Sequence, residues 1–486
     1  MRACFVAISL WFSVAPAHVL AAPTTQTQAQ RNDLAAFDAL IAGAHEHGLK
    51  VIVDQVLSHT SDQHEWFKQS RVDRENDKAD WYVWADAKAD GSPPNNWLSI
   101  FGGSAWEWDT SRCQYYLHNF LKSQPDLNFH NRDVQDAILE TVRFWLERGV
   151  DGFRLDTINF YFHSADLKDN PALAPENRND SIAPAVNPYN YQDHLHDKNQ
   201  PENLVFLQRF RSLLNEYPAT AAVGEVGDAQ YGLELVADYT SGDDKVQMCY
   251  SFDFLSKEPL TPKRVQDVVE AFEEKAPDGW SCWAFSNHDV VRHASRWADG
   301  IENRDAFLKL TANLILSLRG SVCLYQGEEL GLSEEVLDFE DLQDPYGIQF
   351  WPTFKGRDGC RTPMVWNSGN MNAGFSEVAP WLPVPPEHIH SAVSEQEQAS
   401  GSLLNHYRDV LALVGEDQLD SVFMWEHNPH LNRWFYTDPA YMWYRNVFLE
   451  LASDEDCVTY NCTGGGILFG HPIRFLSLAT FLSDVL

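Results

Sequence analysis

Residues Asp133 to Asn159 read DVQDAILETVRFWLERGVDGFRLDTIN. The segment from Asp133 to Arg148 has the spacing of an amphipathic helix, and Asp151 to Leu155 follows at once as a strand. Within Phe153-Arg154-Leu155-Asp156, polar and apolar residues alternate, so Arg154 and Asp156 point to the same side.

The same unit recurs on either side. Upstream, Asn32-Asp33 caps a helix from Leu34 to His47, with Leu34, Phe37, Leu40, Ile41 and Ala44 on one face, and Gly48 stops it. Val51-Ile52-Val53 follows as a continuous apolar strand, the pattern of a parallel sheet covered on both faces. Downstream, helix Glu202–Glu216 precedes strand Thr220–Val223. Further strands are expected at Gln247–Phe252, Ser281–Phe285 and Ser321–Leu324, separated by helices near 262–275 and 304–318, and Ser402–Val414 reads as a last helix. Strand and helix in alternation give an α/β fold, a (β/α)₈ TIM barrel. Six strands are visible. The missing ones belong before residue 32, so a barrel lacking its first strands is expected, with a long irregular insertion after the third barrel strand, Val51–Val53. The domain reading is a leader and connector at 1–31, the barrel at 32–57 and 131–415, an inserted subdomain at 58–130, and a C-terminal region, 416–486, without a clear period. A second irregular stretch runs from about 163 to 200.

Arg2 followed by the apolar run Ala3 to Ala15 and by Val19-Leu20-Ala21 resembles a secretory signal, which implies a secreted or periplasmic protein. The run is too short for a stable membrane anchor. Residues 22–31 read as a disordered connector. Net charge is −34, from 36 basic and 70 acidic residues, which disfavours nucleic acid and anionic membranes as partners. Aromatics make up 13% of the chain; such richness suits sugar faces and equally suits a large aromatic core. The eight cysteines show no metal spacing, and a disulfide framework is not expected in so long a chain.

Five stretches carry candidate chemistry: Asp54-Gln55-Val56-Leu57-Ser58-His59, Gly152 to Asn159, Val223-Gly224-Glu225-Val226, Phe285-Ser286-Asn287-His288-Asp289, and Gly359-Cys360-Arg361-Thr362-Pro363. An arginine beside Asp156 would hold that carboxylate ionised, as a glycosyl nucleophile requires. Glu225, leaving an apolar strand, would be partly desolvated and able to donate a proton. Each stretch alone also suits a structural role, such as a buried Arg–Asp pair or a solvated strand end. Together, two carboxylates on neighbouring strands, a third nearby and histidines able to hold hydroxyls fit glycoside hydrolysis. They fit a zinc site less well, because the compact ligand spacing is absent, and no phosphate loop or serine elbow is seen.

In order and spacing, Asp54…His59, Arg154…Asp156, Glu225 and His288-Asp289 resemble the signature regions of the α-amylase family, glycoside hydrolase family thirteen. DQVLSHTSDQHEWF (54–67), NNWLSIFGGSAWEWD (95–109), YQGEELG (325–331), Gln343 to Gly347 and GCRTPMVW (359–366) are similar to its bacterial α-glucosidase and oligo-1,6-glucosidase subgroup. The resemblance covers roughly residues 32–412. It implies a retaining α-glucosidase that releases glucose from the non-reducing ends of short oligosaccharides, with transglucosylation as a side activity. Asp156 would be the nucleophile and Glu225 the general acid/base. Asp289 would grip the hydroxyls of the distorted glucose. His59, Arg154 and His288 would hold the same sugar, Arg361 would close the pocket, and Phe101 and Phe120 would line its entrance. Thr157 follows the nucleophile, which in this subgroup accompanies α-1,4 preference, whereas Val accompanies α-1,6. No cofactor is implied. A calcium ion occurs in the family, but its usual loop is not found here, nor is an upstream Asp that binds the glucose 4- and 6-hydroxyls. The competing expectations are an inactive truncated barrel and a non-catalytic amylase-like scaffold, a class that usually carries a membrane anchor and has lost its carboxylates. The sequence sets no oligomeric state.

Overall fold

The structure, a computed structural model, describes residues 4–9, 28–414 and 422–427, with side chains over 34–412. Its parallel-sheet strands are β1 (Cys4–Ser9), β2 (Leu49–Gln55), β3 (Gly152–Leu155), β4 (Ala221–Glu225), β5 (Met248–Tyr250), β6 (Cys282–Ala284), β7 (Ser321–Tyr325) and β8 (Val422–His427). The longer helices between them are α1 (Gln28–Glu46), α2 (Arg132–Leu146), α3 (Glu202–Leu214), α4 (Gly232–Thr240), α5 (Pro262–Lys275), α6 (Arg304–Ser317) and α7 (Leu403–Val414).

The chain forms two compact units. The described residues within Trp11–Asp38 and Val53–Phe252 make one, and those within Met1–Leu10, Ala39–Ile52 and Asp253–Leu486 make the other. In the first of these the strand order is β5-β4-β3-β2. Gly152 lies opposite Ala221 and Arg154 opposite Val223, while Glu225 lies opposite Tyr250. Every residue of β3 and β4 is buried. Helix α2 packs Val134, Ile138, Val142, Trp145 and Leu146 inward. The Trp145 ring meets Phe37 of α1 edge-on at 5.0 Å, and the Asn131 side chain caps α2 by accepting from Asp133 N. In the other unit the order is β2-β1-β8-β7-β6. There β8 runs parallel to both β1 and β7, with Phe423 opposite Phe5 on one side and Cys323 on the other.

Two of these strands were not expected as such. β1 lies inside the apolar run that resembles a leader, and β8 lies beyond Gly415, where no period is visible. A six-residue apolar run has the same composition in either setting, and a pairing partner decides which it is. α1 also begins before Asn32-Asp33, so that pair lies within the helix, and Gly48 with φ 70° closes the turn after it. The proposed cleavage site, residues 22–27 of the connector and most of 416–486 lie outside the described residues.

The insertion at 58–130 is a small subdomain. Gln114–Leu117 is the central strand between Trp84–Ala85 and Trp106–Asp109 in an antiparallel sheet. Val83, Ala85, Trp97, Ala105, Trp106 and Leu117 form its core. Trp97 donates from Nε1 to Lys168 O at 2.8 Å, and Asn96 donates to Asn170 O at 2.8 Å. These bonds tie the insertion to the second irregular stretch, and part of the aromatic richness serves this packing. Among the described residues no helix is long and apolar enough to cross a membrane.

Gly152 is required by close packing. A Cβ built there would stand 1.8 Å from the Ala221 carbonyl oxygen in β4, and strand backbone yields little. Gly152→Ala is expected to lower the urea midpoint by an amount equivalent to about 3 kcal/mol or more, given the usual cost of overpacking. A midpoint within experimental error of the parent would show that β3 and β4 can separate without loss.

Candidate active site

Arg154 is fully buried. Its Nη1 donates to Asp54 Oδ1 at 2.9 Å and to Asp156 Oδ1 at 2.5 Å. Its Nη2 donates to Glu225 Oε2 and, at 2.8 Å, to the Tyr250 hydroxyl. One guanidinium thus touches carboxylates from the ends of β2, β3 and β4. Burial works against its charge, but Asp54, Glu225, Tyr250 and Asp156 outweigh that and hold it protonated well above the ordinary arginine range.

Asp156 keeps 15% of its side chain exposed, whereas Glu225 keeps 3%. Thr157 turns the chain sharply between them. Its φ of 39° and ψ of 52° are left-handed, an unusual and strained choice for a β-branched residue. The turn brings Thr157 N to 3.2 Å from Glu225 Oε2 and Thr157 Oγ1 to 3.3 Å from Asp156 Oδ2.

The loop after β4 is pinned by Asn159 Oδ1, which accepts from Gly227 N at 3.1 Å, and by Lys198 Nζ, which donates to Gly227 O at 2.9 Å. Lys198 also pairs with Asp228 at 3.1 Å. Burial would raise the Asp228 carboxyl, but Lys198, Asn199 and backbone N–H groups bring it down to about 2. A small, partly open pocket lies beside this loop, lined in part by Tyr189, His194, Lys198, Asp228 and Tyr231.

His59 is buried, with Nδ1 2.9 Å from Ser58 Oγ and Nε2 3.1 Å from the Gln124 amide nitrogen. A Gln124 N–H donating to Nε2 leaves the ring proton on Nδ1. Phe120 packs on the His59 ring at 5.1 Å, and Phe101 packs on Phe120 at 6.1 Å. Desolvation lowers the His59 pKa to about 4, although Asp156 pulls it upward.

In the other unit, Asp289 Oδ1 accepts from Arg357 Nη1 at 2.8 Å and from Arg361 Nη2 at 3.0 Å. Oδ2 lies 3.3 Å from His288 Nε2. Arg361 Nε donates to the His288 carbonyl at 2.8 Å. Asn287 accepts from Asp289 N at 2.9 Å and fixes the turn.

A family model described as the catalytic domain of alpha amylase matches residues 26–420. The chain belongs to the α-amylase family. Among its relatives, a probable alpha-glucosidase of Rhizobium meliloti (strain 1021) is 68% identical over 376 residues, covering 77% of this chain and 68% of that protein. An oligo-1,6-glucosidase of Heyndrickxia coagulans is 33% identical and covers 81% and 75% respectively. The crystal structure of the alpha-glucosyl transfer enzyme XgtA, at 53% identity, aligns with a TM-score of 0.76 over 80% of this chain and 72% of that one. This α-amylase family member is a glycoside hydrolase with the (β/α)₈ barrel fold of the family.

Within one unit the structure gathers the sequence candidates Arg154, Asp156, Thr157 and Glu225 around one guanidinium, and His59, Phe120 and Phe101 in one aromatic row. Within the other it gathers His288, Asp289 and Arg361. Sequence reading gave no role to Asp54 beyond marking a motif, and it missed Tyr250, Lys198, Arg357 and Asp344. Arg357 stands four positions before Arg361, and Asp344 lies within a stretch quoted for its resemblance, so both were near a signal that named neither. Among the described residues no group of three His, Cys, Asp or Glu is arranged to hold a metal.

Burial also lowers His163 and His293, each to about 3. Like His59, these groups are neutral when folded and charge more easily when unfolded. Stability from them is therefore full above the unfolded pKa of 6.5 and is lost as pH falls toward 4 and then 3. For His59 the loss is on the order of 2 kcal/mol by pH 5. Urea unfolding between pH 7 and 4.5 is expected to show stability falling with acid, and His163→Gln should flatten the slope. An unchanged slope in that variant would remove His163 from the account.

Proposed function

We propose that this chain is a retaining α-glucosidase that removes glucose from the non-reducing ends of short α-glucosides, with α-1,4 linkages preferred and transfer to hydroxyl acceptors as a second outcome. The observation that carries the reading is the single guanidinium of Arg154 contacting both Asp156 and Glu225. Two carboxyl groups held on one planar cation suit the close pair of a retaining enzyme, about 5 Å apart, better than the wider pair of an inverting one. The relatives named probable alpha-glucosidase and oligo-1,6-glucosidase, and the transfer enzyme XgtA, support the substrate class.

In this reading Asp156, the more exposed carboxylate, attacks the anomeric carbon and displaces the aglycone. Glu225 protonates the departing oxygen and then removes a proton from water, or from an acceptor hydroxyl, as the glucosyl-enzyme breaks down. Asp289 takes the glucose hydroxyls and stabilises the oxocarbenium-like transition state. His59, neutral at ordinary pH and held by Ser58 and Gln124, keeps its ring near the nucleophile without adding charge there. Thr157 sits between nucleophile and acid, where a hydroxyl or a methyl would meet the aglycone differently, and this is the basis of the α-1,4 preference.

Two measurements test these assignments. Asp156→Asn is expected to reduce glucose release from maltose below roughly a thousandth of the parent while the thermal unfolding curve keeps its cooperativity; activity well above that level would exclude Asp156 as nucleophile. Thr157→Val is expected to shift the maltose-to-isomaltose ratio of kcat/KM toward isomaltose, and an unaltered ratio would end the linkage argument.

A further inference from the structure

Tyr250 has no part in the chemistry just described, yet strand register sets it beside Glu225. In the parallel pair of β4 and β5, Gly224 lies opposite Cys249 and Glu225 opposite Tyr250. Val226 N donates to the Tyr250 carbonyl at 3.0 Å and carries the pairing past the strand ends. A Cβ on Gly224 would stand 2.8 Å from Cys249 Sγ, so glycine is what lets the two strands lie this close. Tyr250 and Glu225 are both buried, and both side chains reach the guanidinium of Arg154.

That guanidinium has four terminal N–H groups, two on each Nη, and four side chains accept from them. Nη1 serves Asp54 at 2.9 Å and Asp156 at 2.5 Å. Nη2 serves Glu225 Oε2 and, at 2.8 Å, the Tyr250 hydroxyl. Three of the four acceptors are carboxylates. The fourth is a phenol, which accepts a hydrogen bond without bringing another carboxylate to the cluster. Glu225 Oε2 also accepts from Thr157 N at 3.2 Å. Two N–H donors therefore face Oε2, which assigns the proton that Glu225 gives and takes to Oε1.

We propose that Tyr250 is a positioning residue for Glu225: by taking the second hydrogen of Arg154 Nη2, its hydroxyl confines that nitrogen to Oε2 and leaves Oε1 to exchange a proton with the departing oxygen. The reason is the cost of an unsatisfied buried donor. An N–H stripped of its acceptor inside the fold is expensive, and the guanidinium lowers that cost by turning the hydrogen toward the carboxyl already bonded to the same nitrogen. Oε1 would then accept an N–H, which holds Glu225 ionised and turns its proton-carrying oxygen from the leaving group. Asp54 and Asp156 remain on Nη1 and are not called on to move. The inference rests on the assignment of Glu225 as the general acid/base.

The test compares two substrates on the full chain. Maltose departs as a sugar alkoxide and needs the proton, whereas 2,4-dinitrophenyl α-glucoside departs as a stable phenolate and does not. Tyr250→Phe is expected to lower kcat/KM for maltose about 10- to 100-fold and kcat/KM for the aryl glucoside less than about threefold. In the Glu225→Gln background the same change should cost less than about twofold on maltose, because its effect passes through Glu225. Equal losses on the two substrates, a kcat/KM for maltose within threefold of the parent, or full additivity with Glu225→Gln would overturn the proposal. Should Tyr250→Phe unfold, Tyr250 replaced by 4-fluorophenylalanine, which keeps the size of the phenol with a much weaker acceptor, decides by the same criteria. Glu225→Gln alone should depress kcat/KM for maltose and spare the aryl glucoside. Equal losses on both substrates in that variant, or none, would instead overturn the role of Glu225, so the two failures are distinguishable.

Discussion

The buried guanidinium of Arg154 is the constraint on which the arrangement of the candidate site depends. It has no exposed surface, and carboxylates from three strand ends and the Tyr250 hydroxyl converge on it. Taking such charges out of water costs several kcal/mol per ion, and only close, well-aligned partners offset that cost. Each partner is therefore held by the others. Gly152 lets β3 lie against β4, that register sets Arg154 beside Val223, and the strand ends then deliver Asp156 and Glu225 to the same cation. The strained turn at Thr157 persists because its amide and hydroxyl both find partners in this cluster.

The other unit uses the same device in a different form. Arg357 and Arg361 both reach Asp289 Oδ1, and each is anchored elsewhere, one on Asp344 and one on the His288 carbonyl. Neutral histidines complete the pattern: burial keeps His59 uncharged at ordinary pH, so its ring stands there without altering the charge balance around Asp156.

The alternation of strand and helix was legible in the chain because each has its own apolar period, and α2 followed by β3 shows both within 27 residues. Arg154 and Asp156 were legible for the same reason, since a period of two sends both to one side of a strand. Glu225 announced itself as a lone acid at the end of an apolar run. The partners of Asp289 had no such signal. Arg357 lies 68 positions beyond it in the chain, in a loop without a period, and nothing local distinguishes an arginine that braces a carboxylate from one that faces water. Lys198 and Asp228 illustrate the same limit, because their pairing joins an irregular stretch to the loop after β4.

The sequence by itself determined the fold class and the family and marked three carboxylates as candidates, because strand and helix periods and short motifs are local properties of the chain. Tertiary structure alone decided that Cys4–Ser9 and Val422–His427 are neighbouring strands, since a short apolar run becomes a strand only when another backbone satisfies its hydrogen bonds. It alone decided that one guanidinium serves Asp54, Asp156 and Glu225 together, and that Asp344 stands behind Arg357. Those are statements about distance between residues far apart in the chain, and distance is set by packing, which no local pattern records.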